Sequence, residues 1–187
     1  MLIILLILTC SEITDTSQFQ SLSYFVKTIT VNDDSCNSAS STSLLLDGFP
    51  VLTHVTIGKY ALKNVQEFDI SSLPSLQAIQ IGRCSLSTTC YDIPSALSTT
   101  PRLSISNCPN LKSISIEDYS FSQYSILNLN NLPSLETMVI GKYSFYYITN
   151  FIIKGRNVNR ELVIKYRFGK IGNNPDGRSN LWISANY

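Results

Sequence analysis

The sequence has few of the residues from which catalytic centres are built. Its 187 residues include one histidine, and only 14% are charged, against about a quarter in an average soluble domain. Catalysis by a Ser-His-Asp or Cys-His set needs a nucleophile and an orienting group beside the histidine. The sequence contains no G-x-S-x-G segment, P-loop or dinucleotide fingerprint. We therefore predict that the protein is not an enzyme, and we interpret His54 as a solvent-exposed residue at a strand edge.

Charge of one sign and long apolar runs are also lacking. The net charge is +1 without any block of like charges, so the chain lacks the basic patch typical of nucleic-acid-binding proteins. The acidic pair Glu117 and Asp118 stands alone, whereas a calcium site needs six or more oxygen ligands. No apolar run reaches the roughly 20 residues that span a bilayer. We expect no metal, no cofactor, no nucleic-acid partner and no membrane span.

A repeat of about 24 residues is the main feature that the sequence does have. The segment LPSLETMVIG, which begins at Leu132, occurs in related form three more times. These copies begin at Phe49, Leu73 and Cys108. The step between copies is 24 residues, except that Leu76 to Leu111 spans 35, so one copy carries an 11-residue insertion within residues 87–102. A repeat of this length is typical of a solenoid.

Each repeat contains two short segments in which apolar and polar residues alternate. One follows the pattern L-x-x-I-x-I and the other follows L/F-x-I/L, as in Phe68 and Ile70. Alternation places the flanking apolar side chains on one face and the middle side chain on the other. The segments are short, β-branched and bounded by Pro, Gly, Asn and Ser, which predicts strands. The predicted fold is a repeat solenoid, mainly β and leucine-rich-repeat-like, with two short strands in each coil of about 24 residues.

Three regions are predicted along the chain. They are an N-terminal strand or cap, or a short leader, at residues 1–25; the solenoid at 26–168, with its insertion at 87–102; and a C-terminal loop with an incomplete repeat at 169–187. No Lys or Arg precedes the apolar residues 2–8, and a leader cut after Ser11 is shorter than usual. A strand is therefore favoured over a leader, and an intracellular over a secreted or surface location. The incomplete last repeat suggests a fragment of a longer array, or a partner that covers this end.

Proline and glycine mark the turns between the strands. The proline of each L-P-x-L step has no N–H to donate and a fixed φ, which suits a corner where the chain leaves one sheet for the next. Glycine follows the L-x-x-I-x-I strand at Gly58, Gly82 and Gly141, but Glu117 takes this position in another copy. An ordinary tight turn without a positive φ is therefore expected there.

The cysteines leave two interpretations open. They are Cys10, Cys36, Cys84, Cys90 and Cys108, and they form no CxxC pair and no metal-ligand spacing. Buried free thiols, which pack as small hydrophobic side chains, are favoured. The alternative is a disulfide bond between Cys84 and Cys90 that holds the insertion in place. No Asn-x-Ser/Thr acceptor is present, so glycosylation gives no support to secretion.

Stacking of the coils predicts outward-facing columns of equivalent residues, about 4.8 Å apart. The first column is Thr56, Gln80, Ser115, Val139 and Val163, and the second is Leu45, Asp69, Ser104, Asn128 and Ile152. A third column is Tyr60, Tyr119 and Tyr143, with Cys84 at the same position in the remaining copy and Tyr146 and Tyr147 alongside. Tyrosine is favoured at interfaces because it buries much surface and keeps a hydroxyl for hydrogen bonding. The alternative is that these rings pack along the convex side as part of the scaffold.

The pattern L-x-x-I-x-I-G-x-x-S/A-F resembles the BspA-like leucine-rich repeat family, and four copies in residues 44–150 carry it. It departs from the commoner leucine-rich pattern, because the usual asparagine position holds tyrosine or Cys84, so the buried asparagine ladder is absent. The resemblance implies a non-catalytic binding or adhesion surface, displayed outside the cell in many members. It implies no particular ligand.

We therefore expect a protein-interaction module whose partner is a protein. The alternative is a purely structural segment of a longer repeat array. The insertion either carries binding residues, as loops on repeat scaffolds often do, or is a tolerated lengthening of a surface loop. The candidate partner-binding residues are Thr56, Gln80, Ser115, Val139, Asp69, Ser104, Asn128, Tyr91, Tyr143 and Tyr146.

Overall fold

A computed structural model describes residues 22–40, 42–92 and 97–155 in full, and the backbone of 5–8 and 163–166. The described residues form twelve short strands and no helix. The strands are β1 (Leu5–Leu8), β2 (Thr28–Val31), β3 (Ser43–Leu46), β4 (His54–Ile57), β5 (Glu67–Ser71), β6 (Ala78–Ile81), β7 (Arg102–Ser106), β8 (Ser113–Ile116), β9 (Ile126–Asn130), β10 (Thr137–Ile140), β11 (Asn150–Lys154) and β12 (Val163–Tyr166). The C-terminal loop and incomplete repeat expected at residues 169–187 lie outside the described residues.

Two parallel sheets face each other. Sheet A has the order β1-β2-β4-β6-β8-β10-β12, and sheet B has the order β11-β9-β7-β5-β3. Successive coils place one strand in each sheet, about 24 residues apart over about five turns. Ile81, Ile116 and Ile140 lie directly above one another in the register of β6, β8 and β10. The predicted β-solenoid with two strands per coil is confirmed.

The core lies between the two sheets. In β2, β4, β6, β8 and β10 of sheet A, buried positions alternate with half-buried or exposed ones, as at Ile114 and Ile116 of β8. Sheet B contributes the opposite wall through pairs such as Leu103 and Ile105 of β7, whose side chains are 0–2% exposed. Burial of each Leu or Ile side chain contributes about 1.5–3 kcal/mol. A solenoid needs this contribution from every coil, because no coil can bury its apolar face alone.

The L-P-x-L step forms the corner from sheet B to sheet A, as predicted. At each corner the N–H of the second leucine donates to the carbonyl of the residue before proline, for example from Leu76 to Leu73 at 3.2 Å and from Leu135 to Leu132 at 3.2 Å. Proline at the second position of such a turn is favoured, because its fixed φ matches the turn and its missing N–H is not needed.

Three positions in each coil have a left-handed backbone, and none of them is the glycine position discussed above. The first is the tyrosine column, with a φ of 57° at Tyr60 and 59° at Tyr143. The second lies two residues later, and the third follows each sheet B strand. The third set is Gly48, Ser72, Asn107, Asn131 and Gly155. Backbone bonds between coils hold these turns, as where the Tyr60 N–H donates to the Arg83 carbonyl at 2.9 Å.

The glycines after the sheet A strands allow the turns of neighbouring coils to approach closely. A Cβ atom at Gly58 would lie 2.5 Å from the backbone nitrogen of Asp33. Real Cβ contacts are not this short, so no other residue fits without a shift of backbone. The expectation of a turn without positive φ is confirmed, and close stacking is the reason for glycine.

A column of buried serines takes the place of an asparagine ladder. Ser85, Ser120 and Ser144 are 0% exposed. The Ser120 hydroxyl donates to the Gly82 carbonyl at 2.7 Å, and the Ser144 hydroxyl donates to the Glu117 carbonyl at 2.8 Å. Each bond joins a coil to an earlier one and gives a turn carbonyl a side-chain donor.

The insertion is tied down by a disulfide bond and by side-chain hydrogen bonds. Cys84 and Cys90 are joined, with their Cα atoms 5.3 Å apart, and Thr88 donates to the Gln123 amide oxygen at 2.6 Å. Cys36 is also disulfide-bonded. The free-thiol interpretation is therefore wrong for these cysteines, because their sulfurs are covalently paired. It is confirmed for Cys108, a buried thiol whose pKa is raised by burial.

Candidate functional site

The two predicted columns lie on opposite faces of the solenoid. Thr56, Gln80, Ser115 and Val139 are paired in register along the outer face of sheet A. Asp69, Ser104 and Asn128 are paired along the outer face of sheet B, between Leu45 and Ile152. Because the core separates the sheets, one flat partner surface cannot contact both columns. The end of the first column was predicted wrongly: Val163 pairs with Thr137, and Lys165 pairs with Val139.

A continuous chain of tyrosines follows the turn at the end of the sheet A strands. We call it the tyrosine ladder, and it consists of Tyr60, Tyr91, Tyr119, Tyr143, Tyr146 and Tyr147. The ring centroids are 5.2 Å apart from Tyr91 to Tyr119, 5.1 Å from Tyr119 to Tyr143 and 6.3 Å from Tyr143 to Tyr146. Tyr146 and Tyr147 follow at 5.2 Å. The ladder thus crosses several coils without a break.

The rungs of the ladder differ in exposure. Tyr91 is 57% exposed, whereas Tyr146 is only 7% exposed, so Tyr146 supports the ladder and is not a surface anchor. Tyr60, Tyr119 and Tyr143 are half-buried. The Lys142 ammonium lies 4.9 Å from the Tyr143 ring centroid, and the Lys63 ammonium lies 5.7 Å from that of Tyr60. Cations at this distance from a ring face are attracted by its quadrupole.

A groove of about 500 Å³ lies between the ladder and the first column. We call it the ladder groove. Its walls include Tyr60 and Tyr91 from the ladder, Ser115 and Val139 from sheet A, and the charged side chains Lys59, Arg83, Glu117 and Asp118. The site therefore combines phenol rings, two cations and two carboxylates at the mouth of one groove.

The charges of the groove are organised by the turns that follow β6 and β8. The Arg83 guanidinium lies 3.6 Å from the Asp118 carboxylate, and the Arg83 backbone N–H donates to the Glu117 carboxylate at 3.0 Å. Asp118 also accepts from the Lys142 backbone N–H at 2.8 Å. The carboxylates thus hold neighbouring coils together and fix the position of the guanidinium.

One phenol of the groove is electrostatically activated. The hydroxyls of Tyr60 and Tyr91 are 3.1 Å apart. The pKa of Tyr91 is lowered, because the Tyr60 hydroxyl and then the Arg83 guanidinium donate to its oxygen. The pKa of Tyr60 is raised, because its proton is held in the same hydrogen bond. Tyr91 is therefore the more acidic of the two phenols, and it is presented at the surface.

The structure brings together some of the candidate residues and separates others. Ser115, Val139 and Tyr91 meet in the ladder groove, and Tyr143 stands next along the ladder. The sheet B candidates do not join them, and Asp69 is engaged by Arg102 at 3.5 Å. Lys59 and Arg83 were not predicted. Their signal was the charged residue that follows each glycine of the turn column.

His54 is exposed at the start of β4, as predicted, and its Nδ1 lies 2.9 Å from the Thr53 hydroxyl. Within the described part of the chain, no three His, Cys, Asp or Glu side chains cluster as metal ligands do. That part also contains no helix that could cross a membrane.

Comparisons with protein-family models, curated proteins and solved structures return no match to this chain.

Proposed function

We propose that this solenoid is a non-catalytic binding or adhesion module that engages a protein partner through the tyrosine ladder and the ladder groove. The carrying observation is the run of aromatic rings in contact from Tyr91 to Tyr147, which a hydroxyl hydrogen bond extends to Tyr60, beside a groove of mixed charge. The repeat pattern that forms this β-solenoid resembles that of BspA-like leucine-rich repeats. Binding or adhesion is the role that this resemblance implies.

Tyrosine rings are well suited to act as anchors. They bury a large area at a low cost in side-chain entropy and keep a hydroxyl for hydrogen bonding. Binding energy at protein interfaces concentrates in a few such residues, with losses of 2 kcal/mol or more on truncation. Tyr91, Tyr119 and Tyr143 are the rungs that combine exposure with ring contacts on their neighbours.

The scaffold holds these anchors ready for a partner. The Tyr119 N–H donates to the Lys142 carbonyl at 2.8 Å, and the Tyr60 N–H donates to that of Arg83. Pre-organisation of this kind reduces the entropy that association would otherwise cost. The fixed pair of Arg83 and Asp118 at the groove adds charge complementarity, which selects among partners more than it raises affinity.

The disulfide bonds favour an oxidising location. Cys84 with Cys90, and Cys36 as well, are disulfide-bonded, and structural disulfides persist outside the reducing cytosol. We therefore replace the intracellular expectation from the sequence with a secreted or surface-displayed location. This location agrees with that of many proteins that the repeat resembles.

The test compares a ladder variant with a matched variant on the opposite face. Wild-type protein, Tyr143→Ala and Asn128→Ala are immobilised, and proteins captured from the extracellular fraction are identified. The affinity of each purified candidate is then measured by titration calorimetry. We expect Tyr143→Ala to weaken binding about 30-fold, and Asn128→Ala to leave it unchanged. Equal weakening by both variants would contradict the proposed face, and the absence of any captured partner would favour the purely structural role.

A further inference from the structure

The coil that carries the insertion lacks a rung of its own. In three other coils the ladder position holds Tyr60, Tyr119 or Tyr143, and in the coil of β2 it holds Asp34, but here it holds Cys84. Cys84 has the same left-handed backbone, with a φ of 58°, and is buried. Its side chain is too short to bridge the neighbouring rings, which leaves a gap in the ladder between Tyr60 and Tyr119.

The insertion fills this gap. Tyr91 reaches Tyr60 on one side through the 3.1 Å contact of their hydroxyls, and reaches Tyr119 on the other at 5.2 Å between ring centroids. The residue before it, Cys90, is the one bonded to Cys84. The cysteine that occupies the ladder position is thus the residue that anchors the replacement ring.

We propose that the insertion is an integral part of the binding surface, because the Cys84–Cys90 disulfide bond holds Tyr91 in place as the missing rung of the tyrosine ladder. Reduction of this bond releases Tyr91 and interrupts the ladder between Tyr60 and Tyr119. This inference rests on the proposed function in that the ladder is taken as the binding surface. It adds a residue that completes the surface and a redox condition under which the surface exists.

The disulfide bond is needed to hold Tyr91 in place, because the non-covalent contacts of Tyr91 are weak compared with the entropy lost when the loop becomes ordered. Tyr91 makes an exposed aromatic contact with Tyr119 and solvent-exposed hydrogen bonds with the Tyr60 hydroxyl and the Arg83 guanidinium, and each such contact stabilises only weakly. Ordering the backbone of a loop costs conformational entropy at every residue. The hydroxyl of Thr88 is hydrogen-bonded to Gln123, and that of Thr99 is hydrogen-bonded to Gln66. Among the described residues between these two points, the disulfide bond at Cys90 is the one covalent link to the rest of the solenoid. Without it, the contacts of Tyr91 are too weak to order this segment.

The chemistry of the opening is ordinary thiol–disulfide exchange. A dithiol reductant attacks the sulfur of Cys90, which is half-buried, while that of the buried Cys84 leaves as a thiolate. The dithiol supplies two electrons and two protons and closes into its own disulfide, and both cysteines end as thiols.

The first test needs no partner. Tyrosine ionisation is followed by ultraviolet absorbance in wild type, Tyr91→Phe, Cys90→Ser and Cys108→Ala. In wild type one phenol should ionise below the ordinary tyrosine pKa, and Tyr91→Phe should remove it. Cys90→Ser should return it to the ordinary range, while Cys108→Ala, which removes a cysteine outside the disulfide, should not. Melting curves confirm that each variant is folded. A low-pKa phenol that persists in Cys90→Ser would overturn the proposal.

The second test uses a partner captured by the wild-type protein. Cys90→Ser and Tyr91→Ala should each weaken binding about tenfold, and the double variant should be no weaker, because both remove the same rung. Unchanged affinity in Cys90→Ser overturns the redox condition, yet leaves the proposed function standing if Tyr143→Ala still weakens binding. Failure of Tyr143→Ala to weaken binding overturns the proposed function, and the ionisation test then still decides whether the disulfide holds Tyr91.

Discussion

At the scale of single residues, small side chains decide how closely the coils stack. The motif G-x-x-S is visible in the sequence, but the reason for each residue lies in the coil before it. Gly58 lacks a Cβ because the backbone of Asp33 occupies that space. Ser120 is buried because its hydroxyl satisfies the carbonyl of Gly82. Without knowledge of the stacking distance, the same residues indicate only a turn.

The serine column can be tested by removing one hydroxyl. Ser120→Ala leaves the half-buried Gly82 carbonyl without its side-chain donor, so the free energy of unfolding should fall by about 0.5–1.5 kcal/mol. Ser113→Ala, at a half-buried position on β8, is the control and should change it by less than about 0.5 kcal/mol. Urea denaturation measures both. Equal effects of the two substitutions would show that the serine column does not bond the coils.

Two glycines with different roles give a second prediction. Gly58→Ala places a Cβ against the Asp33 backbone, and the coils must separate, which should cost about 1–3 kcal/mol. Gly48→Ala meets no atom within 4 Å, but its φ is +72°, so only conformational strain of about 1 kcal/mol is expected. Thermal and urea unfolding would distinguish them. A larger loss for Gly48→Ala would contradict the role given to close stacking.

At the scale of structural elements, the insertion leaves two gaps in the repeat, and an aromatic ring fills each of them. Tyr91 completes the ladder outside. On the side wall, Tyr124 occupies the position that Val65 takes two coils earlier, and its hydroxyl donates to the Val65 carbonyl at 2.7 Å. The Tyr124 ring also packs edge-on against Phe121, with centroids 4.8 Å apart. The insertion is therefore accommodated by neighbouring coils as well as by its own loop.

Tyr124 should make the protein sensitive to alkaline pH. Burial raises its pKa well above the ordinary value of 10.0, so the unfolded chain loses this proton near pH 10 while the folded chain keeps it. Stability is thus fully present below about pH 10 and falls above it, by up to about 1.4 kcal/mol per pH unit. The pKa of Cys108 is also raised by burial, from an ordinary value of 9.0. Its ionisation in the unfolded chain should therefore also lower stability, beginning near pH 9.

Two phenylalanine variants test this dependence. Tyr124→Phe should lower the free energy of unfolding by about 1–3 kcal/mol at neutral pH, because the Val65 carbonyl loses its partner. The same variant should flatten the decline between neutral pH and about pH 11. Tyr24→Phe, at a side chain that is 61% exposed, should change neither quantity. An unaltered alkaline decline in Tyr124→Phe would contradict the assignment.

At the scale of the whole molecule, the solenoid has two chemically different faces. Sheet A and its following turns carry the ladder groove, whereas the sheet B column is flanked by the ion pairs of Arg102 with Glu67 and Asp69. Both faces depend on the one core between them. A substitution that disturbs the core should therefore affect both sheets, and one on an outer face should affect neither.

Adjacent residues of β8 provide that comparison. Ile114→Ala empties a core position that is 1% exposed and should cost about 2–5 kcal/mol, as large-to-small core substitutions do. Ser115→Ala changes the next residue, which faces outwards, and should stay within about 0.5 kcal/mol. Hydrogen exchange should show the loss in β7 as well as β8. Loss of protection confined to β8 would contradict a shared core.

The sequence alone determined the solenoid, its two strands per coil, the proline corners and most of the outward columns. Each of these features depends on the alternation of apolar and polar residues and on turn residues within a short segment. Because the sequence is periodic, the same signal occurs in several copies. The tertiary structure decided that the two columns face opposite ways, that Tyr146 is buried and that the last strand pairs two residues further along. It also decided that Tyr91 completes the ladder. That placement occurs once, in a segment outside the repeat, and it depends on loop closure by a disulfide bond and on contacts with coils far away in the chain.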